Sequence, residues 1–262
     1  MCFFVNLRTK YCLFFFLILN FNIMISVCIA THNGERYIEE QIISILCQLD
    51  STDEVVISDD GSTDKTLDIL CSFHDKRITI YKYKQPSKSK HTHAYVCRNF
   101  ENALNHAKGD FIFLADQDDW WMPDKVEKCL LALKNNILVV HRAEICNSKL
   151  EFCGRLMYND NFVFRNYLSL KNGKYYGCTL AFRRELLDII LPFPKKLMLH
   201  DHWIGCLAEL KGCVYYERVP LIKYRLHGDN TSGGSSPNSI FFQCWYRIYM
   251  FYHLIIRFLL KR

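Results

Sequence analysis

The stretch "GDFIFLADQDDWWMPDKV", residues 109–126, passes from an apolar segment through three aspartates into a helical pattern. Its apolar part, residues 110–115, has the length and composition of a buried strand. Pro123 suits the first turn of the following helix, because its missing N–H needs no partner there. Packing alone does not explain like charges crowded at a strand end, so these aspartates are candidates for a functional role.

The first half of the chain alternates between short apolar segments and helical patterns. We predict strands at residues 23–30, 54–58, 77–83 and 110–115, and helices at residues 35–49, 65–73, 95–107 and 123–133. This alternation implies an α/β fold with a mostly parallel, Rossmann-like sheet flanked by helices. Beyond about residue 140 the pattern becomes irregular, which predicts a mixed C-terminal half within the same domain.

The two ends of the chain differ from the domain that we expect over residues 24–234. Residues 1–23 form an apolar N-terminal extension, which is either a membrane-touching anchor or an upstream extension that folding does not need. Residues 235–262 form a basic, aromatic tail with no acidic residue. This composition favours an amphipathic helix in a membrane interface over a helix packed on the core.

Composition excludes several other classes of protein. The chain has 262 residues, 50% of them hydrophobic, which suffices for one sizeable core. Its net charge of +6 comes without a dense basic block, so we expect no nucleic-acid partner. Thirteen scattered cysteines without a C-x-x-C pair indicate reduced, mostly buried thiols of a cytosolic protein. The sequence also lacks a dinucleotide fingerprint, a P-loop and a hydrolase nucleophile elbow.

Polar clusters follow three of the predicted strands: "THNGE" at 31–35, "DDGSTD" at 59–64 and "DQDD" at 116–119. Ligands of open α/β sheets bind beyond the carboxyl ends of the strands, so one crevice could gather all three clusters. The first could meet a nucleotide through Thr31 and Asn33, or could be a plain turn between strand and helix.

The aspartates of these clusters have both functional and structural interpretations. Asp116 and Asp118, two residues apart, could face a common ligand and hold Mg²⁺ or Mn²⁺ with a diphosphate. Alternatively, Asp119 or Asp124 could cap the helix that starts near Pro123. In "DDGSTD", residues 62–64 can cap the next helix, whereas Asp59 and Asp60 are not needed for that cap and could accept from a nucleobase or a ribose hydroxyl.

A fourth cluster, "HDHW" at residues 200–203, precedes a predicted helix. Histidines two residues apart at a helix start diverge, and no third ligand is near in sequence, which argues against zinc. Asp201 is either a helix cap or a general base, and a carboxylate needs no unusual pKa to act as a base at neutral pH.

These motifs together carry a family resemblance. "ISVCIATHNGERYIEEQIISIL", "VVISDDGSTDKT", "NFENALNHAKGDFIFLADQDDWWMPDKV", "GCTLAFRRELL", "HDHW" and "YRLHGDN" occur in this order between about residues 24 and 234. In this combination the sequence resembles family 2 glycosyltransferases with the glycosyltransferase-A fold, and especially bacterial rhamnosyltransferase-like members that act on surface polysaccharides. The chain departs from the family pattern at His200, where an acidic residue is common.

The resemblance implies an activity and a set of site residues. A sugar would pass with inversion from a nucleotide-diphosphate donor to a saccharide or lipid-linked saccharide acceptor, with Mn²⁺ or Mg²⁺. The composition of the C-terminal tail adds the expectation of a cytoplasmic location at the inner face of the cell membrane. The implied nucleotide contacts are Thr31, Asn33, Glu35, Asp59 and Asp60. The resemblance further implies that Asp116 lies at the ribose, diphosphate and metal, Asp118 is the principal metal ligand, Asp201 is the base, and His227 approaches the diphosphate.

Two other functions remain open at this point. A sugar nucleotidyltransferase shares the α/β layout and the metal, but normally has a glycine-rich basic loop after its first strand, where this chain has "THNGERY". A catalytically silent binding protein docked on a membrane by its aromatic tail is the other alternative, and the presence of Asp118 and Asp201 argues against it.

Overall fold

The computed structural model describes residues 23–85, 92–158, 175–228, 230 and 239–260. The predicted N-terminal extension therefore lies almost entirely outside the described residues. The strands are β1 (Ile25–Thr31), β2 (Glu54–Asp59), β3 (Ile78–Lys82), β4 (Phe111–Ala115), β5 (Trp120–Trp121), β6 (Leu138–Cys146), β7 (Phe152–Met157), β8 (Leu180–Arg183) and β9 (Val214–Arg225). The helices are α1 (Ile38–Leu46), α2 (Thr66–Ser72), α3 (Thr92–His106), α4 (Lys125–Leu133), α5 (Leu187–Ile190), α6 (His200–Lys211) and α7 (Ile240–Leu260).

All nine strands belong to one sheet, in the order β3-β2-β1-β4-β8-β6-β9-β5, with β7 paired to β6. Strands β1 to β4 run parallel, as predicted, and β8 joins β4 antiparallel. The central strands β1, β2 and β4 are buried along nearly their whole length, which explains their continuous apolar sequences. Their carboxyl ends lie at one edge, where the polar clusters follow.

The second half of the sheet contains features that the sequence pattern did not predict. Strand β6 carries His141 and Arg142 in its middle and is nonetheless almost entirely buried, so charge and hydropathy gave no strand signal there. Residues Trp120 and Trp121 form the short strand β5, which pairs with Lys223 and Ile222 of β9.

Helix α7 presents one face to the domain and the other to solvent. Tyr246, Met250 and Leu254 are buried against the domain, whereas Phe241 and Ile248 are among the most exposed apolar side chains. The helix thus packs on the core by one side only. Among the described residues, no helix has both the length and the apolar character that crossing a membrane requires.

Candidate active site

The loop after β1 is tied to the acidic loop after β4 by one amide side chain. Gln117 Oε1 accepts from Thr31 Oγ1 at 2.6 Å and from the backbone N–H of His32 at 3.0 Å. A Cβ atom at Gly34 would lie 2.6 Å from the same oxygen, so glycine permits this close approach. The sequence analysis did not single out Gln117, although it lies inside the "DQDD" motif.

Asn33 and Glu35 hold the neighbouring loop after β2. Asn33, with φ of 49°, accepts at Oδ1 from the N–H of Thr63 at 2.8 Å. Glu35 Oε2 accepts from the N–H of Lys65 at 2.9 Å, just before helix α2 begins. Both side chains therefore contact protein backbone. They fix the shape of the crevice into which the sequence-based hypothesis places a nucleotide.

Asp59 and Asp60 have different surroundings. The Asp59 carboxylate is buried and accepts from the N–H groups of Gly61 and Ser62, each at 3.1 Å. It stabilises the turn at Gly61, which has φ of 71°, a structural contact in addition to the predicted nucleotide contact. Asp60 is half-buried and accepts from Gln85 Nε2 at 2.7 Å. Burial raises the pKa of Asp60, and the hydrogen bond from Gln85 opposes that shift.

The acidic loop brings Asp116 and Asp119 together with a thiol. Ligand atoms of Asp116, Asp119 and Cys178 lie within 4.8 Å of one another. Burial raises the pKa of Asp116 to about 7, and the charges of Asp118 and Asp201 add to the shift. Asp119 is completely buried, and burial together with its two neighbouring aspartates raises its pKa far above the ordinary value. These carboxyl groups share one electrostatic environment.

Asp118 contacts the C-terminal part of the chain. Its Oδ2 lies 2.6 Å from Nε2 of His227 and 3.5 Å from Nδ2 of Asn230. The alternation of a strand no longer applies after Ala115, the last residue of β4, so Asp116 and Asp118 have different immediate neighbours. The contact nevertheless brings two of the predicted site residues, Asp118 and His227, to one point.

Neither Asp119 nor Asp124 forms the side-chain cap of α4 that the structural alternative expected of one of them. Asp119 Oδ1 accepts from the N–H of Arg225 on β9 at 3.1 Å. Asp124 precedes α4 but makes no side-chain cap hydrogen bond and instead lies 3.4 Å from Lys128. Asp119 instead binds the backbone of β9, because β9 lies beside this loop. Local sequence does not encode that proximity.

Arg225 is the residue that holds the acidic loop against the rest of the domain. Its buried guanidinium donates to the carbonyl oxygens of Asp118 and Ser148, each at 2.8 Å, and to Glu40 Oε2 at 2.5 Å. It also lies over the ring of Tyr37, 4.4 Å from the centroid. Arg225 lies within the "YRLHGDN" motif, but its partners are distant in sequence, so these contacts could not be predicted from the motif.

Lys125 is a second cation that the sequence analysis did not identify. It is completely buried at the start of α4, donates from Nζ to the carbonyl of Cys178 at 2.9 Å, and lies 4.1 Å from the ring centroid of Trp121. Burial lowers its pKa to about 8, although the charges of Asp119 and Asp116 favour the ammonium form. Lys125 thus places positive charge behind the acidic loop.

Asp201 is the second residue of α6 and reaches the same crevice. Its Oδ1 accepts from the N–H of His202 at 2.7 Å, while a carboxylate has a second oxygen for another partner. Burial raises the pKa of Asp201 to about 7, although the sequence analysis expected that a base here would need no unusual pKa. The effect of its charge on the pKa of Asp116 shows that the two carboxyl groups lie near each other.

The turn at Gly177–Thr179 lies between the start of α6, which carries Asp201, and the acidic loop. A Cβ atom at Gly177 would lie 2.9 Å from His200 Nε2, so glycine allows the turn to pack directly on α6. The next residue, Cys178, contributes its thiol to the trio with Asp116 and Asp119. His200 stacks on Phe100 at 4.4 Å, and burial lowers its pKa to about 3, so a neutral imidazole stands beside Asp201.

Comparison with known proteins agrees with this geometry. Residues 26–191 match the family model described as glycosyl transferase family 2. The chain belongs to this family. The matched segment runs from β1 to the end of α5 and contains the three polar loops, while the chain outside it carries Asp201, Arg225 and His227.

Two relatives have more specific descriptions. This family 2 chain is 29% identical over 222 residues to the dTDP-rhamnosyl transferase RfbG of Shigella flexneri, covering 79% of this chain and 74% of the relative. It is 30% identical over 191 residues to the Escherichia coli UDP-Glc:alpha-D-GlcNAc-diphosphoundecaprenol beta-1,3-glucosyltransferase WfgD, covering 71% and 70% respectively. The resemblance that the motifs indicated is confirmed.

Solved structures confirm the glycosyltransferase-A fold. S. aureus TarS 1-349 in complex with UDP-GlcNAc superposes with a TM-score of 0.65 at 20% identity, over 87% of this chain and 66% of that one. The mannosyltransferase PcManGT of Pyrobaculum calidifontis, in complex with GDP-Man and Mn²⁺, superposes with a TM-score of 0.52 at 23% identity, over 77% and 56%.

Proposed function

We propose that this family 2 glycosyltransferase moves a sugar with inversion from a nucleotide-diphosphate donor to a saccharide or lipid-linked saccharide acceptor in cell-surface polysaccharide synthesis. One observation carries the proposal: the turn at Gly177–Thr179 packs on His200, the neighbour of Asp201, and its Cys178 thiol lies within 4.8 Å of ligand atoms of Asp116 and Asp119, so Asp201 and the acidic loop share one crevice. A base and a diphosphate-binding loop on one crevice are what such a transfer requires.

The donor would lie along the carboxyl ends of β1, β2 and β4. We assign the nucleobase to Asp60, whose carboxylate is only half-buried, whereas Asp59 is already engaged with its own turn. Thr31, Asn33 and Glu35 shape the floor of this crevice through the contacts described above. The GDP-Man complex of PcManGT and the UDP-GlcNAc complex of TarS support a nucleotide-sugar donor.

The described residues fit a divalent metal. Carboxylate oxygens suit Mn²⁺ and Mg²⁺ better than a buried thiol does, so we assign the ion to Asp118 and Asp116, with the imidazole of His227 at the same point. Cys178 and Asp119 then form the inner wall of the site. A bound ion would offset the negative charge that develops on the departing diphosphate.

Asp201 would remove the proton from the acceptor hydroxyl as the new glycosidic bond forms. The acceptor oxygen attacks the anomeric carbon from the side opposite the diphosphate, the bond to the diphosphate oxygen breaks, and the configuration inverts. A pKa near working pH leaves a large fraction of Asp201 ionised while keeping it basic enough to hold the proton. His200, kept neutral by burial, adds no competing charge beside it.

We also propose that the enzyme works in the cytoplasm at the inner face of the cell membrane, as a peripheral protein. Helix α7 supports this location, because it exposes large apolar and aromatic side chains and contains no acidic residue. The lipid-linked acceptor named for WfgD is consistent with an acceptor presented at a membrane.

A donor screen tests the proposal. The purified full chain is incubated with Mn²⁺, a panel of nucleotide sugars and candidate saccharide acceptors, and the release of nucleoside diphosphate is followed. We expect acceptor-dependent release with at least one donor, its loss on adding EDTA and its return with Mn²⁺ or Mg²⁺. Release of pyrophosphate from a nucleoside triphosphate would instead identify a nucleotidyltransferase, and full activity in EDTA would contradict the metal assignment.

A further inference from the structure

The solvent face of α7 is a continuous apolar surface. Its exposed side chains recur at intervals of three and four residues and so lie on one side of the helix. The surface consists of Phe241, Trp245, Ile248, Tyr252, Ile255 and Leu259. No aspartate or glutamate occurs anywhere from residue 240 to the last residue, and four Lys or Arg residues do.

The opposite face of α7 forms hydrogen bonds with the segment that leads to Asp201, the proposed base. Tyr246 Oη accepts from the N–H of Met198 at 2.9 Å, and Tyr249 Oη accepts from the N–H of Lys196 at 3.1 Å. Met198 precedes Asp201 by only three residues. The hydroxyl groups of one face of α7 therefore hold the backbone that enters α6.

Arg257, near the C-terminal end of α7, makes a second set of contacts with the domain. Its guanidinium donates to the carbonyl oxygens of Ile189, Leu191 and Pro192. It also lies 5.5 Å from the ring centroid of Trp203, which is buried on α6 two residues after Asp201. The position of α6, and with it that of Asp201, thus depends on α7 being docked.

We propose that an anionic lipid surface is an activating partner of this enzyme: it binds the solvent face of α7, keeps α7 docked, and thereby fixes the segment that carries Asp201. This inference rests on the proposed function. A ligand shifts an equilibrium only if it binds one state better than the other. The bilayer meets that condition, because most of the stability of a helix in a protein comes from its packing on the domain, and the exposed apolar side chains form one surface only while α7 is helical.

Charge and composition together favour lipid as the occupant of this surface. Trp and Tyr rings with basic neighbours suit the headgroup region of a membrane. Lys196 lies 5.4 Å from the ring centroid of Trp245, which places an ammonium group at the border of the surface. A helix without acidic residues, with an ammonium group at the border of its solvent face, is complementary to anionic headgroups.

The experiment uses the full chain, a water-soluble acceptor and vesicles of phosphatidylcholine with or without phosphatidylglycerol. A soluble acceptor ensures that any stimulation does not come from concentrating the acceptor on the membrane. We expect the protein to sediment with the anionic vesicles and its kcat to rise at least about threefold, with less of both for neutral vesicles or at high salt.

Two sets of variants separate binding from coupling. The triple variant Phe241→Ser, Ile248→Ser, Ile255→Ser should lose vesicle binding and stimulation but keep the basal rate. Leu131→Ser, at an exposed leucine of α4, is the matched control and should behave as wild type. Tyr246→Phe removes the hydroxyl that holds Met198, so it should bind vesicles normally and lose at least about half of the stimulation.

The outcomes distinguish this inference from the proposed function. Transfer without vesicles tests the proposed function alone, and its absence with every donor would contradict that proposal. Vesicle binding without stimulation, or full stimulation of Tyr246→Phe, would overturn the coupling. A triple variant that loses thermal stability without losing vesicle binding would show that another part of this chain covers the surface, and would overturn lipid as the occupant.

Discussion

His227 Nε2 lies 2.6 Å from Asp118 Oδ2, although the two residues are more than 100 positions apart in the chain. The imidazole arrives on the segment that continues β9, and the carboxylate lies on the loop that continues β4. Because both atoms are metal ligands by type, this contact marks where we assign the divalent ion.

Asp118→Asn should abolish metal-dependent transfer, and His227→Ala should weaken Mn²⁺ binding about 10- to 100-fold. Each substitution removes a metal ligand or the immediate neighbour of one. Calorimetric titration of Mn²⁺ in the presence of nucleoside diphosphate measures the Mn²⁺ affinity without turnover. Asp124→Asn is the control, since Asp124 is exposed and lies beside Lys128. Unchanged Mn²⁺ affinity in both site variants would refute the assignment.

The pKa of Asp201 predicts the pH dependence of transfer. As a base it must be ionised, so kcat/KM should rise with pH and level off above about 7. Asp201→Asn should abolish transfer and leave the Kd for nucleoside diphosphate nearly unchanged. A profile that is flat between about pH 5 and about pH 9, two units on either side of that pKa, would contradict the role.

The same shift predicts an effect of Asp201 on stability. Its pKa is raised on folding from 3.8 to about 7, so the folded state binds the proton more tightly and ionisation costs stability as pH rises through this window. Asp201→Asn removes this cost of ionisation. At pH 8 the Tm of the variant should therefore be at least that of wild type, and any difference in Tm should vanish near pH 4. Scanning calorimetry at the two pH values measures this; a lower Tm of the variant at pH 8 would show a structural role.

Lys125→Met should destabilise the fold. The substitution keeps the length of the side chain but leaves the buried carbonyl of Cys178 without its donor, which costs about 1 to 3 kcal/mol in free energy of unfolding. Urea denaturation measures the change. Lys128→Met, one turn later and partly exposed, should change the free energy by less than about 0.5 kcal/mol. Equal effects of the two substitutions would mean that the buried hydrogen bond of Lys125 makes no net contribution to the free energy of unfolding.

Gly177→Ala should lower kcat while leaving donor binding intact. The added methyl group would lie 2.9 Å from His200 Nε2, so the imidazole must move, and Asp201 is its neighbour in α6. Steady-state kinetics with donor and acceptor varied separately would show the split between kcat and KM. Gly212→Ala at the other end of α6 meets only ordinary contacts and serves as control; a wild-type kcat for Gly177→Ala would show that the turn does not constrain the base.

The parallel half of the sheet could be predicted because its signals are local. Strands β1, β2 and β4 are mostly apolar, and the polar loops that follow them come at the spacing of an α/β sheet. Asp116 and Asp118 stand out in sequence because like charges crowd directly after an apolar strand. Pairings between distant segments could not be predicted in this way: Arg225 with Asp118 and Asp119, and Lys125 with Cys178, depend on the order of strands.

Strand β9 has a consequence for synthesis of the protein. It comes last among the strands, yet it lies between β6 and β5 and carries Arg225 to the acidic loop, two residues before His227. Domains assemble as the chain emerges from the ribosome, from the N-terminus onward. The acidic loop therefore lacks its contacts with Arg225 and His227 until residue 227 has emerged, so a ribosome-bound chain that ends before β9 is expected to be unable to capture nucleotide sugars.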